Sequence, residues 1–380
     1  MLPPMIKRIY DDLGKLLKAG RVLVIYGPRR SGKTTLLQNY LKKTPLKYRL
    51  DSGDNVRIQN LLSSGDFVQM RDYVQGYQLI AIDEAQQIPS IGMGLKIIVD
   101  QNPKIRVIAT GSSSFDLAHQ IGEPLTGRKR TITLFPVAQH ELMLWMTRYE
   151  LKEKLEEFLI YGNYPQVLTA KSLKEKKLVL LEIAESYLLK DILALDRMRA
   201  SRILMDLLKL LAFQLGSEVS LNELAGQLKV DVKTVGRYLD LLEKTFVIVS
   251  LSGFGRNLRK EITSKKKYYF LDNGIRNAVI MQFNSLSTRN DVGALWENFI
   301  VTERIKKKSY EGRLIPGYFW RTYDQQEIDL IEEDGGRLHA YECKYSMTKK
   351  TPKPPVGWLG AYPEAKFTVI HAQNYLDFIG

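Results

Sequence analysis

The chain has 380 residues, 44% hydrophobic and 26% charged, the balance of an ordinary folded protein. This composition excludes wholesale disorder, and at roughly 100–200 residues per domain the length excludes a single small module. No apolar run approaches the ~18–20 residues that cross a bilayer, and 56 basic against 42 acidic residues leave a net charge of +14, which suits a polyanion and makes nucleic acid the first partner to consider.

The amino-terminal segment lacks a charged-then-apolar leader, and the single cysteine, Cys343, forms no internal disulfide, so a cytoplasmic address is expected. From Arg21 to about Phe135, short β-branched runs alternate with helical stretches: Val22–Tyr26, Leu79–Ile82 and Ile105–Ala109. Continuous apolar strands spaced by helices predict a parallel sheet covered on both faces.

The first strand runs into Gly27-Pro28-Arg29-Arg30-Ser31-Gly32-Lys33-Thr34, which fits G-x-x-x-x-G-K-[ST] and opens a helix at Thr35. Glycines let the backbone N–H groups curl toward phosphates, and the helix terminus adds favourable partial charge. Gly27 to Thr35 are therefore the expected nucleotide contacts. Lys33 would neutralise the β- and γ-phosphates, and Thr34 would place its hydroxyl on Mg²⁺. The strand Leu79–Ile82 ends in Asp83-Glu84, where Asp83 would share the Mg²⁺ and Glu84 would orient or deprotonate the attacking water. The next strand ends in Thr110-Gly111-Ser112-Ser113-Ser114, and Ser112 is the candidate γ-phosphate contact.

Beyond Pro136, Leu151–Ile160 and Leu173–Leu195 show apolar residues at three- and four-residue spacing, which predicts helices. Helix Leu221–Leu228, a turn at Val230-Asp231, helix Val232–Lys244 and strand Phe246–Leu251 then read as a winged helix. Val235, Leu239 and Leu242 would face its core, leaving Lys233 and Arg237 outward on the recognition helix. The stretch Arg256–Lys267 carries six basic residues and one acid, and its Lys265, Lys266 and Lys267 are the further expected contacts to the phosphates of double-stranded DNA.

In the tail, a helix Gly293–Ile305 precedes strands near Tyr318–Trp320, Glu327–Ile331 and Leu338–Tyr345, and the Lys349–Pro355 stretch reads as a loop. Asp329 and Glu342-Cys343-Lys344 fit D…E-x-K, in which two carboxylates bind a divalent metal and the lysine steadies the attacking water. A two-residue turn at Gly335-Gly336 would set Asp329 opposite Glu342, with Lys344 on the same face. Mg²⁺ or Mn²⁺ is the expected ion.

These stretches, with Leu125-Thr126-Gly127-Arg128, Tyr161-Gly162-Asn163-Tyr164-Pro165 and Phe270-Leu271-Asp272-Asn273-Gly274, resemble a family of prokaryotic AAA-type ATPases with a PD-(D/E)xK nuclease-like domain at the carboxy terminus. The resemblance covers nearly the whole chain. It implies a multidomain α/β protein: a P-loop ATPase domain (1–145), a helical lid (146–215), a winged helix (216–285) and a restriction-endonuclease-like α/β domain (286–380). Arg128 resembles an arginine finger that reaches a nucleotide in a neighbouring subunit, with Arg130 as the competing candidate, which implies a homo-oligomer such as a hexamer. Glu297 resembles the additional metal-binding acid that such nucleases bring from a preceding helix. The function implied is ATP-driven DNA processing with a metal-dependent nuclease; the alternative is a nucleotide-dependent switch whose winged helix binds DNA or protein and whose nuclease-like domain is inactive.

Overall fold

The computed structural model describes residues 6–112, 124–193, 199–255, 265–313, 315–346 and 352–380, the side chains of 186–201 aside. Ser113 and Ser114, most of the basic stretch (256–264) and the start of the Lys-Pro loop lie outside the described residues. The chain forms two compact units, 3–136 with 244–246, and 137–243 with 247–380.

In the first unit, β1 (Arg21–Tyr26), α1 (Lys33–Leu41), β2 (Tyr48–Ser52), α2 (Val56–Ser63), α3 (Phe67–Val74), β3 (Leu79–Asp83), α4 (Ile91–Gln101), β4 (Arg106–Gly111) and β5 (Lys129–Thr133) build an all-parallel sheet of order β2-β3-β4-β1-β5. The strand period of two divides β1 between two cores. Val22, Val24 and Tyr26 pack with Ile58, Leu62, Met70 and Leu95, whereas Leu23 and Ile25 pack with Leu36, Leu37 and Leu41 of α1. Both faces of the sheet are therefore covered, and the strand ends are where polar side chains collect.

The second unit contains α5 (Leu155–Tyr161), α6 (Leu173–Leu193), β6 (Glu218–Val219), α7 (Leu221–Leu228), α8 (Val232–Lys244), β7 (Ile248–Gly253), β8 (Lys266–Phe270), α9 (Asn273–Val279), α10 (Val292–Tyr310), β9 (Gly317–Arg321), β10 (Glu327–Asp334), β11 (Arg337–Cys343) and β12 (Lys366–Ile370). The division expected at 285/286 is not a break in the structure. The strands on either side of it join one sheet of order β12-β11-β10-β9-β7-β8-β6, in which β7 and β9 pair in parallel. Pairing so distant in sequence leaves no local signature, so the tail reads as a separate unit when it is half of a larger one.

Two of the resembling motifs meet at Asp272. Its carboxylate accepts from the N–H groups of Asn163 at 2.7 Å and Gly274 at 2.8 Å, and caps α9. Asn273 and Asn277 donate to the last carbonyls of α5, Leu159 and Ile160. The Tyr161–Pro165 and Phe270–Gly274 stretches thus form one buried polar joint that fixes α9 to α5.

Candidate functional site

The carboxyl ends of β1, β3 and β4 converge, as expected for ligand sites on parallel sheets. The loop after β1 needs glycine at 27, where φ is +152° and a Cβ would lie 2.1 Å from the Leu134 carbonyl oxygen. Gly32, at φ +99°, caps α1, and α1 begins at Lys33. Arg8 clamps the loop from outside by donating to the carbonyls of Ser31 and Phe135, both at 2.7 Å. The Ser31 hydroxyl is buried inside the loop and has no hydrogen-bond partner among the described residues.

Lys33 is almost fully buried, and its ammonium donates to the carbonyls of Gly27 and Pro28, each at 2.9 Å. Thr34 donates its hydroxyl to Asp83 Oδ2 at 2.8 Å. Thr110, on the intervening strand β4, donates to Asp83 Oδ1 and accepts the Glu84 N–H at 3.3 Å. Thr34 and Asp83 are hard oxygen donors already side by side, the chemistry Mg²⁺ takes. Glu84 lies in left-handed backbone just past β3, and Gln86 donates to both its carboxylate and the Ser112 hydroxyl, the latter at 3.2 Å. The structure thus gathers Gly27 to Thr34, Asp83, Glu84 and Ser112 at the carboxyl end of the sheet. Sequence reasoning missed Arg8, Gln86 and the specific role of Thr110; of these, only Thr110 belongs to a recognisable motif, the polar end of β4.

Arg128 is elsewhere in the same unit. Its carbonyl accepts the Val22 N–H at the start of β1, and its guanidinium pairs with Asp100 at 2.5 Å. Around that end of the sheet, Leu16, Lys18, Arg21, Val22, Leu23, Lys129 and Arg130 line a cavity of about 150 Å³.

In the second unit, α8 buries Val235, Tyr238, Leu239 and Leu242 and exposes Lys233 and Arg237. Lys265 is exposed beside Glu218 at 3.2 Å, and Lys266 is half-buried. Lys267 corrects the expectation of a surface phosphate contact. It is fully buried, because β8 is covered on both faces from this residue onward and its side chain runs toward Glu297 of α10 at 3.2 Å and Glu327 of β10.

The terminal hairpin has the anticipated register. Gly335 and Gly336 both have positive φ, as a two-residue hairpin turn of this kind demands, and β10 pairs with β11 from Asp334 opposite Arg337 out to Leu330 opposite Tyr341. One step further, Asp329 is buried and accepts the Cys343 N–H at 2.7 Å, while Lys344 pairs with Glu342 at 2.7 Å. The expected three-acid metal set is not assembled: among the described residues no three His, Cys, Asp or Glu side chains form a metal-binding group. Glu297 instead accepts from Lys267 and from the Tyr269 hydroxyl at 2.8 Å. The donor set as placed does not fit the metal.

Burial first, then Glu297 and Glu342, push the Asp329 carboxyl well above the carboxylate range, against the pull of Lys267 and the Cys343 N–H. The folded chain therefore holds a proton that the unfolded chain releases, so this group's contribution to stability falls as pH rises from the ordinary carboxylate value toward the raised folded one. Asp329→Asn retains an acceptor for the Cys343 N–H and is expected to raise Tm by a few degrees at neutral pH, the gain vanishing near pH ~4. Parallel Tm-against-pH curves for the two proteins would refute this.

Residues 19–143 match the family model described as an AAA domain, and the chain thus carries an AAA-type ATPase domain, which implies ATP and usually Mg²⁺. Residues 152–286 and 292–373 match two domains of unknown function, DUF8612 and DUF4143. An uncharacterized protein of Mycobacterium tuberculosis is 27% identical over 88% of this chain and 73% of its own length. One from Haemophilus influenzae is 25% identical over 87% and 84%, and one from Methanocaldococcus jannaschii 23% identical over 86% and 75%. A crystal structure of a signal transduction ATPase with numerous domains, with a tetratricopeptide repeat sensor, from Pyrococcus horikoshii aligns with 80% of this chain at 14% identity and a TM-score of 0.30, and this chain spans 46% of its length. Among the described residues no helix is long and apolar enough to cross a membrane.

Proposed function

We propose that the chain is an ATP-hydrolysing switch, working as a homo-oligomer, in which nucleotide turnover governs the binding of double-stranded DNA by the β6-α7-α8-β7-β8 segment, read as a winged helix. The observation that carries the reading is the linked set Thr34, Asp83 and Thr110 beside the Lys33 loop, which joins phosphate binding to the strand end that bears Glu84.

The chemistry follows from what each group can do at its place. An incoming phosphate exchanges places with the Gly27 and Pro28 carbonyls at the Lys33 ammonium, and the loop N–H groups and the α1 terminus hold the remaining oxygens. Mg²⁺, held by Thr34 and Asp83, would neutralise charge on the β- and γ-phosphates. Thr110 keeps the Asp83 carboxylate turned toward Thr34 and anchors the backbone of Glu84. The Glu84 carboxylate accepts a proton from, or orients, the attacking water. Its amide neighbour Gln86 connects that carboxylate with Ser112, so a change at the γ-phosphate reaches the β4 end directly.

The DNA half of the proposal rests on Lys233 and Arg237 on one exposed face of α8, with Lys265 and Lys266 on β8 and the strand's approach to it. These are phosphate contacts, which make binding sequence-tolerant and steeply salt-dependent. Anisotropy of a labelled duplex, titrated with and without a slowly hydrolysed ATP analogue, should show nucleotide-dependent affinity. Lys233→Ala with Arg237→Ala should reduce the slope of log affinity against log salt by about 0.9 for each phosphate no longer neutralised. Identical slopes, or affinity indifferent to nucleotide, would sink the DNA part.

The nuclease reading draws on Asp329, Glu342 and Lys344 sharing one face of the hairpin. Lys267, buried among the acids, weighs for the switch.

A further inference from the structure

The acidic cluster of the second unit is built around a cation the chain supplies itself. Lys267 reaches from β8 to Glu297 of α10 at 3.2 Å and to Glu327 of β10, and its ammonium stands 5.4 Å from the centre of the Phe319 ring of β9. Tyr269, two residues on and so on the same face of β8, donates to the same Glu297 oxygen at 2.8 Å. Asp329 lies close enough to act on the charge of both Lys267 and Glu297, and Glu342 acts on Asp329 in turn. Lys344 closes the group at its half-exposed side by pairing with Glu342 at 2.7 Å.

A fully buried ammonium is costly unless several acceptors surround it, and a buried group of carboxylates is costly unless a cation lies among them. Each half of this cluster therefore requires the other. Burial by itself would depress the Lys267 ammonium, but the ion pairs with Glu297 and Glu327 outweigh it and hold the charge in place.

We propose that Lys267 is the permanent cation of this cluster: it stands between Glu297 and Glu327, on the side of the cluster that also holds Asp329, where a divalent metal would have to enter, ties β8, α10 and β10 together, and leaves the carboxy-terminal layer a charge-compensated scaffold that neither binds a divalent ion nor cuts DNA. The proposal deepens the switch reading at its terminal layer. It does not depend on nucleotide, so an inactive phosphate-binding loop would sink the switch and leave this proposal standing.

The test uses the full chain without nucleotide, titrated with Mn²⁺ and followed by electron paramagnetic resonance and by thermal melting with and without Mn²⁺. Wild type and Asp329→Asn should bind Mn²⁺ equally poorly, and neither should melt at a different temperature when Mn²⁺ is added. Lys267→Ala should melt roughly 10 °C lower, gain one Mn²⁺ site, and recover part of its Tm when Mn²⁺ is present. Lys267→Ala with Asp329→Asn should lose that recovery, and Lys267→Arg, which keeps the charge, should gain no site. Stoichiometric Mn²⁺ binding by wild type that Asp329→Asn removes would overturn the proposal, as would a Lys267→Ala protein that is as stable as wild type and binds no Mn²⁺. If Lys267→Ala does not fold, the comparison of wild type with Asp329→Asn decides alone.

Discussion

Lys33→Ala is expected to lose measurable ATP binding, while Glu84→Gln is expected to bind ATP normally and hydrolyse it about 10²–10⁴ times more slowly. The two differ because of where the charges sit. The Lys33 ammonium is the buried cation at the mouth of the loop, held at 2.9 Å by two loop carbonyls that an incoming phosphate would replace. Alanine removes the cation and leaves those carbonyls without it, so affinity goes first. Glu84→Gln keeps the volume, the positive φ already present and an oxygen acceptor for Gln86, and removes only the group that takes a proton. Asp83→Asn belongs to a third class: its carboxylate accepts from Thr34 and Thr110 at once, and an amide nitrogen cannot accept from either. Its expected signature is ATP binding that no longer responds to Mg²⁺. Calorimetric titration with and without Mg²⁺, alongside steady-state phosphate release, separates the three. Equal turnover by wild type and Glu84→Gln would remove Glu84 from the chemistry.

The candidate nucleotide site is legible in the sequence because its parts are local: a spacing of glycines and lysine after an apolar strand, and two acids at the end of another. The strands that escape sequence reasoning are the sheet's edges, β2 and β5. Their residues are half-exposed and partly charged, as in Arg49 and Asp51 or Lys129 and Arg130, so neither shows the continuous apolar run that marks β1, β3 and β4. The hairpin register follows from the paired glycines alone. Lys267 defeats the sequence for a different reason. In Lys265-Lys266-Lys267 three identical side chains hide the strand's alternation, and only the acids that come from α10 and β10 say which one turns inward. The same holds for Glu303 and Lys306, buried partners on α10 that an amphipathic reading assigns to solvent. Charge patterns in a sequence report which residues are ionisable, and burial then depends on partners far away in the chain.

Arg128→Ala should reduce ATP hydrolysis by about 10³-fold or more with little change in ATP affinity, the size of effect an arginine finger has. Arg128 precedes β5 and its carbonyl binds the Val22 N–H, whereas Gly27 to Thr34 follow the far end of β1. Six strand residues at ~3.3 Å each put roughly 20 Å between the two ends, beyond the reach of an arginine side chain. A nucleotide touched by Arg128 is therefore one bound by another copy of the chain. The ion pair with Asp100 is half-exposed, so exchanging it for a phosphate costs little. Lys18, Arg21, Lys129 and Arg130 around the neighbouring cavity add positive charge at the same end of the sheet. A mixture of Arg128→Ala and Lys33→Ala subunits should then recover activity that neither has alone, since one supplies the loop and the other the arginine. Arg130→Ala tested in the same way distinguishes the two candidates: loss confined to Arg130→Ala moves the role to that residue. Activity per subunit that stays constant on dilution to monomers would exclude a site shared between copies, and with it any finger acting from either position.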